Sequence, residues 1–127
     1  MNKTLVCYAD GGFKHGRKPK GYGSFAIFSD NNLIELQHFD LSESKTSNES
    51  EYLSLITLLE FLAQNYKSDS SFIYMDGRLV YNQVENRWKV SAENLKRYNA
   101  IALDFKKNLK VTIIWIRRDE ILKILGH

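Results

Sequence analysis

The chain has 127 residues, 43% hydrophobic and 26% charged, with a formal net charge of +3. This is an ordinary globular composition, and a single domain over residues 1–127 with its own core is expected. One cysteine, Cys7, excludes a disulfide framework and a multi-cysteine zinc site, and no apolar run approaches the roughly 18 residues of a membrane-spanning helix.

Met1-Asn2-Lys3-Thr4-Leu5 lacks the long apolar core of a secretion signal, so a cytoplasmic address is expected. Thr4–Ala9 is a short apolar run ending at Asp10-Gly11-Gly12 and predicts a strand followed by a turn. Cys7 lies inside it and reads as core. Phe13–Gly21 is expected to be a loop, Gly23–Phe28 a second strand, Ser29–Asn32 a tight turn and Leu33–Leu41 a third strand. Short connections make these an antiparallel meander. A helix is predicted from about Asn48 to Tyr66, where Tyr52, Leu55, Leu59 and Leu62 recur at helical spacing. Asn48-x-x-Glu51 fits a capping box at its start. Ser71–Met75 predicts a strand, Asp76-Gly77 a break, and the residues to about Val84 a short helix. After a bend at Glu85–Lys89, Ser91–Asn108 forms a second long helix, Val111–Ile116 a β-branched strand and Asp119–His127 a terminal helix. The order βββ-α-β-α-α-β-α implies an α/β fold with a five-stranded mixed sheet, its last two strands joined in parallel by right-handed crossovers.

The mild positive charge is unevenly spread. Lys14, Arg17, Lys18 and Lys20 cluster without an acid between Phe13 and Lys20, and Arg87–Lys110 holds seven cations against Glu93 and Asp104. Such clusters suit phosphate contacts, although a solvated face has the same composition. Three acids sit where elements change: Asp10 at the end of the first strand, Glu51 in the first turn of the long helix, and Asp76 at the end of the fourth strand. Each alone has a plain explanation, as a turn dipeptide, a capping-box partner or a helix cap. Together they mean more. Parallel neighbours bring their carboxyl ends to one edge of the sheet. If the first and fourth strands are neighbours, Asp10 and Asp76 meet there and the helix can deliver Glu51. Three converging carboxylates call for a counter-ion, and hard divalent cations take such oxygen ligands. A pair of Mg²⁺ ions so held would activate water and stabilise the leaving oxygen of a phosphodiester.

These segments, in order over nearly the whole chain, resemble the ribonuclease H family. Val6-Cys7-Tyr8-Ala9-Asp10-Gly11-Gly12 is similar to its first strand, and Gly21-Tyr22-Gly23-Ser24-Phe25-Ala26 to its glycine-led second. Thr46-Ser47-Asn48-Glu49-Ser50-Glu51 resembles the T-x-N-x-x-E helix start. Tyr74-Met75-Asp76-Gly77-Arg78-Leu79-Val80 resembles the D-S-x-x-V segment, with Gly77 in place of serine. Asn82-Gln83-Val84 through Trp88-Lys89-Val90 and Asn94-Leu95 is similar to the linker and helix of the shorter bacterial and archaeal members, and Ile114-Trp115-Ile116-Arg117-Arg118 to the last strand and its basic exit.

The resemblance implies a ribonuclease H-like fold and cleavage of the RNA strand of RNA–DNA hybrids with two Mg²⁺ or Mn²⁺ ions, leaving a 3′-hydroxyl and a 5′-phosphate. Asp10, Glu51 and Asp76 would be the metal-binding catalytic carboxylates. Asn48 and the backbone at Gly11-Gly12 would lie near the RNA strand and its 2′-hydroxyl, with Asn48 as a plain N-cap the other reading. Lys14, Arg17, Lys18, Lys20, Lys89, Arg117 and Arg118 are candidate nucleic-acid contacts. Trp88 could stack on a sugar or serve packing, whereas Trp115 reads as structural, and His15 and His38 have no partner at ligand spacing. No membrane and no obligate protein partner are implied. One departure stands out. The family's fourth carboxylate, often in N-x-x-A-D, falls at Leu125, with Ile121 at the asparagine. Asp119, Glu120 or His127 could substitute, or Asp119 and Glu120 could only favour the helix N-terminus. A binding module without efficient turnover and a nuclease of the same fold acting on DNA are the competing readings.

Overall fold

The computed structural model describes residues 3–126. Its elements are β1 (Thr4–Lys14), β2 (Lys20–Ser29), β3 (Asn32–Leu41), α1 (Ser47–Asn65), β4 (Ser70–Met75), α2 (Arg78–Val84), α3 (Glu93–Asn108), β5 (Lys110–Trp115) and α4 (Arg118–Leu125). They follow the expected order. The strands form one sheet, β3-β2-β1-β4-β5, with β1, β2 and β3 antiparallel and β1, β4 and β5 parallel. The expected mixed sheet is therefore present, and the first and fourth strands are neighbours.

The first hairpin is longer than its apolar runs predict. β1 continues through Asp10-Gly11-Gly12 to Lys14 and β2 begins at Lys20, so the expected loop shrinks to residues 15–19. Asp10-Gly11 is thus strand and not turn. Gly11 pairs with Gly23 in the ladder. A Cβ on Gly11 would collide with the Ser50 carbonyl, and one on Gly23 with the Ser54 hydroxyl. The glycines let α1 lie directly on this part of the sheet. The β2–β3 connection is the predicted tight turn. Asp30 (φ 50°) and Asn31 (φ 66°) are both left-handed, as a two-residue type I′ hairpin requires.

α1 is buried nearly all round because it lies between the sheet and α3. Tyr52, Leu55, Leu58, Leu59 and Leu62 pack with Leu5, Cys7 and Ala9 of β1 and Phe25 and Ile27 of β2, and α3 adds Leu95, Tyr98 and Ala102. The core reading of Cys7 holds, with burial pushing its thiol up to about 12. α4 covers the opposite face, where Ile121 and Leu125 pack with Tyr8, Ala26 and Phe28.

The start of α1 corrects one expectation. The N-cap is Thr46, whose side chain accepts from the Glu49 N–H at 3.1 Å, and Glu49 accepts from the Lys45 N–H at 2.6 Å. The reciprocal cap is therefore two residues earlier than Asn48-x-x-Glu51. Asn94 of α3 donates to the second Glu49 oxygen at 3.0 Å, which ties this cap to the neighbouring helix. Neither Asn48 nor Glu51 serves the helix end.

Candidate active site

Parallel pairing of β1 with β4 runs from Thr4↔Ser70 to Tyr8↔Tyr74. Just beyond, β1 continues to Asp10 while β4 ends at Met75, so Asp10 and Asp76 leave the ladder side by side. Asp10 is 4% exposed and the Asp76 side chain 8%. The two carboxyl groups share a hydrogen bond. Asp76 is fixed through its backbone as well, since Trp115 Nε1 donates to its carbonyl oxygen at 2.9 Å. α2 begins beyond it with Gly77 as N-cap and without a side-chain cap bond, so Asp76 is not the helix cap it resembles in sequence.

Glu51 reaches the same place from α1. Its carboxylate lies against Gly77, where any Cβ would collide with it. Glycine at 77 is therefore what admits Glu51 to the pocket in this position. The Glu51 Oε2 atom is buried and, among the described residues, has no hydrogen-bond partner. Burial, followed by the charges of Asp76 and Asp10, pushes Glu51 up to about 8. Burial, the Asp76 charge and the hydrogen bond to Asp76 push Asp10 up to about 7, opposed by Arg118 and the Gly11 N–H. The pocket holds more negative charge than its surroundings neutralise. Among the described residues its one direct cation is Arg118 of α4, which donates to Asp76 Oδ2 at 3.3 Å from a largely exposed position. Arg118 was read from sequence only as a nucleic-acid contact. Its pairing with Asp76 is visible only once α4 has folded over the end of β1.

The donor set suits a hard divalent cation: three carboxylates, no nitrogen or sulfur, and one buried oxygen with nothing bonded to it. As placed, the side chains are not drawn together around one point. Among the described residues no three Asp, Glu, His or Cys side chains are arranged to hold a metal ion. Arg118 meets part of the charge instead.

The remaining candidates divide clearly. Asp119 gives both oxygens to Arg117, at 2.7 and 3.1 Å, and this pairing holds its carboxyl below the usual range. Glu120 pairs with Lys123 at 3.3 Å and lies near the Tyr8 phenol. Neither is paired with the three carboxylates. Ile121 is fully buried and Leu125 4% exposed in the second core cluster, so the position expected for a fourth acid is occupied by packing. His127 lies outside the described residues. Asn48 is half-buried in the first turn of α1, and its side chain makes no hydrogen bond among the described residues.

Arg17 and Lys18 are exposed in the hairpin loop. Lys14 stands over the Tyr22 ring at 5.7 Å and Lys20 pairs with Asp40 at 3.0 Å. A Cβ on Gly12 would meet the Tyr22 phenol. Trp88 is 49% exposed and so lies outside the core, and Lys89 beside it is exposed too. Trp115, read as structural, also carries Arg78 over its ring at 4.8 Å. No helix among the described residues is long and apolar enough to cross a membrane.

No family model matches the chain. The bifunctional protein Rv2228c of Mycobacterium tuberculosis is 29% identical over 118 residues, which are 90% of this chain and 31% of that protein. The chain thus spans about a third of the length of the curated relatives it matches. Two solved structures superpose closely. One is the N-terminal RNase H domain of the same M. tuberculosis protein, solved as a fusion with maltose-binding protein (TM-score 0.83, 21% identity, 96% of this chain and 88% of that one). The other is LC11-RNase H1 in complex with an RNA/DNA hybrid (TM-score 0.82, 22% identity, 94% of this chain and 89% of that one). Sheet order, helix placement and these superpositions together make this a ribonuclease H-like fold.

Proposed function

We propose that this chain is a metal-dependent endonuclease that hydrolyses the RNA strand of RNA–DNA hybrids. The observation that carries the proposal is the meeting of Asp10, Glu51 and Asp76 in one pocket, with Glu51 Oε2 buried and unpartnered. Asp10 and Asp76, the more rigidly held pair, would hold divalent Mg²⁺ or Mn²⁺, and Glu51 would complete the set once its proton is lost. When bound, the ions would supply Lewis-acid activation of water and stabilisation of the leaving 3′ oxygen. The residues of this chain do the rest. Gly77 leaves room for Glu51, and Trp115 holds the Asp76 backbone. Arg118 pairs with Asp76 at 3.3 Å, and a cation held by Asp76 would take over that neutralising role. Largely exposed, Arg118 would then be available to face a phosphate.

The substrate is read from the surroundings. A hybrid duplex lies in the complex of LC11-RNase H1, which shares this fold. Asn48, free of capping, and the backbone at Gly11-Gly12 flank the pocket where the 2′-hydroxyl of an RNA strand would be recognised. Lys14, Arg17, Lys18, Lys20, Lys89, Arg117 and Arg118 would contact phosphates.

The test is incubation of the purified chain with a labelled RNA–DNA hybrid in Mg²⁺ or Mn²⁺. Products ending in a 3′-hydroxyl and a 5′-phosphate, abolished by chelator and by Asp10→Asn, are expected. Absence of cleavage with every divalent ion would refute the catalytic reading. One observation favours a second reading, a hybrid-binding module with weak turnover: Leu125 stands where a fourth acid is expected. Tight binding without product would select it. Cleavage of duplex DNA in preference to the hybrid would select a DNA nuclease.

A further inference from the structure

Beside the carboxylate pocket, α2 and the edge strand β5 enclose a groove of about 380 Å³ lined by Arg78, Tyr81, Asn82, Trp88, Ile114 and Trp115. Its position is not independent of the pocket. The Trp115 indole that forms one wall donates to the Asp76 carbonyl, and Arg78 follows Asp76 by two residues. The groove is aromatic and cationic at once. Arg78 lies over the Trp115 ring at 4.8 Å and Arg87 over the Tyr81 ring at 5.9 Å. Trp88 is 49% exposed at the mouth, held there by a tight bend in which the Arg87 and Trp88 N–H groups both donate to the Asn82 carbonyl. None of the lining residues is acidic. Of the acids close by along the chain, Glu85 pairs with Lys106 at 2.7 Å and Asp76 with Arg118 at 3.3 Å. Exposed Lys89 adds positive charge at the rim.

A duplex presents sugars and phosphates to such a groove but no base face, because its bases are already stacked on one another. An unpaired base has a free face for an indole, and its flanking phosphates match the surrounding cations. We infer that this groove receives an unpaired nucleotide projecting from the nucleic acid held at the carboxylate pocket, stacked on Trp88 with its phosphate toward Arg78 or Lys89. The inference rests on the proposed function and sharpens it: the favoured substrate is a hybrid with a single-stranded extension near the cleavage site. Planar base and phosphate could also come from a free nucleotide, so the test separates the two.

The chain's two tryptophans, Trp88 and Trp115, both line this groove, so intrinsic fluorescence reports on it directly. The full chain carrying Asp10→Asn, to prevent turnover, is titrated in Mg²⁺ with four probes. These are a blunt hybrid, the same hybrid with a three-nucleotide tail at either end, the tail alone as a short single strand, and adenosine monophosphate. Binding of the labelled hybrids is followed in parallel by anisotropy. The tailed hybrid is expected to quench tryptophan emission and to bind about tenfold more tightly than the blunt one. Trp88→Ala should erase that difference, and Trp88→Phe should largely retain it. Trp88 is exposed, so circular dichroism of both variants should match the parent. Equal binding and equal quenching by blunt and tailed hybrids would overturn the inference. So would saturation by the mononucleotide at the concentrations that suffice for the tailed hybrid, since the occupant would then be a free nucleotide. If the single strand quenches but neither hybrid binds, the hybrid substrate of the proposed function fails while the base-stacking groove survives.

Discussion

The carboxylate pocket and the last helix treat charge in opposite ways. At the ends of β1 and β4, three acids are held together against their mutual repulsion, one with a buried oxygen that nothing satisfies. In α4, a position where the family resemblance leads one to expect a further acid is Leu125, packed with Ile121, Tyr8, Ala26 and Phe28. The first region forgoes stability to keep reactive groups together, and the second forgoes a reactive group to close the second core. Arg118 connects them, since the helix that lacks the acid supplies a cation to Asp76. Unrelieved charge collects where a ligand is to bind, and adjacent positions of the same fold revert to packing.

Asp10→Asn should break the first half of this comparison most severely. The amide keeps the shape and can still bond Asp76, but a charged ligand is gone. Hybrid cleavage should fall by about 10²-fold or more. The metal-free protein should at the same time become more stable by roughly 1–2 kcal/mol at pH 8, as denaturant unfolding would show. A second substitution sharpens the role of glycine. Gly77→Ala places a Cβ on the Glu51 carboxylate, and cleavage should drop about tenfold or more through displacement of that group, with the Mn²⁺ affinity measured by calorimetry falling in step. Unchanged cleavage would mean that the Glu51 position seen here is not the working one.

Leu125→Asp tests the other half. If α4 is devoted to packing, restoring an acid there should lower stability by about 3 kcal/mol or more without raising cleavage. A gain in turnover would show that the helix can turn its acid toward the pocket. The mildest expected effect is that of pH. Asp10 and Glu51 are acids raised from 3.8 and 4.5 to about 7 and about 8, so between those limits the folded state holds more protons than the unfolded one. Stability from this source is complete below about pH 4 and is lost as pH rises through 7 and 8. The metal-free protein should melt about 3–6 °C lower at pH 9 than at pH 6 by calorimetry. Saturating Mg²⁺ should flatten that slope.

Much of this was legible in the sequence because it is written in short-range signals. Short apolar runs mark β1 and β4, the leucine spacing marks α1, and the element order allows the first and fourth strands, and so Asp10 and Asp76, to be neighbours. What stayed illegible depends on tertiary contact. Two capping frames overlap at the start of α1, Thr46-x-x-Glu49 and Asn48-x-x-Glu51, and the first is the one that forms, its Glu49 also held by Asn94 from α3. The Asp10-Gly11 dipeptide has the composition of a turn, but it stays in the strand because Gly23 lies opposite and α1 presses on both glycines. Trp88 has the composition of core and stands exposed, held by backbone bonds to Asn82 that its side chain does not reveal.

The central claim is that Asp10, Glu51 and Asp76 form one electrostatic unit whose excess charge a divalent cation relieves. Carbon-13 titration of the side-chain carboxyl groups, with and without Mg²⁺, measures this directly. Two carboxyls titrating near pH 7 and 8 in the metal-free protein, and both moving below about pH 5 when Mg²⁺ is added, are predicted. Three carboxyls that titrate near pH 4 and do not respond to Mg²⁺ would contradict it.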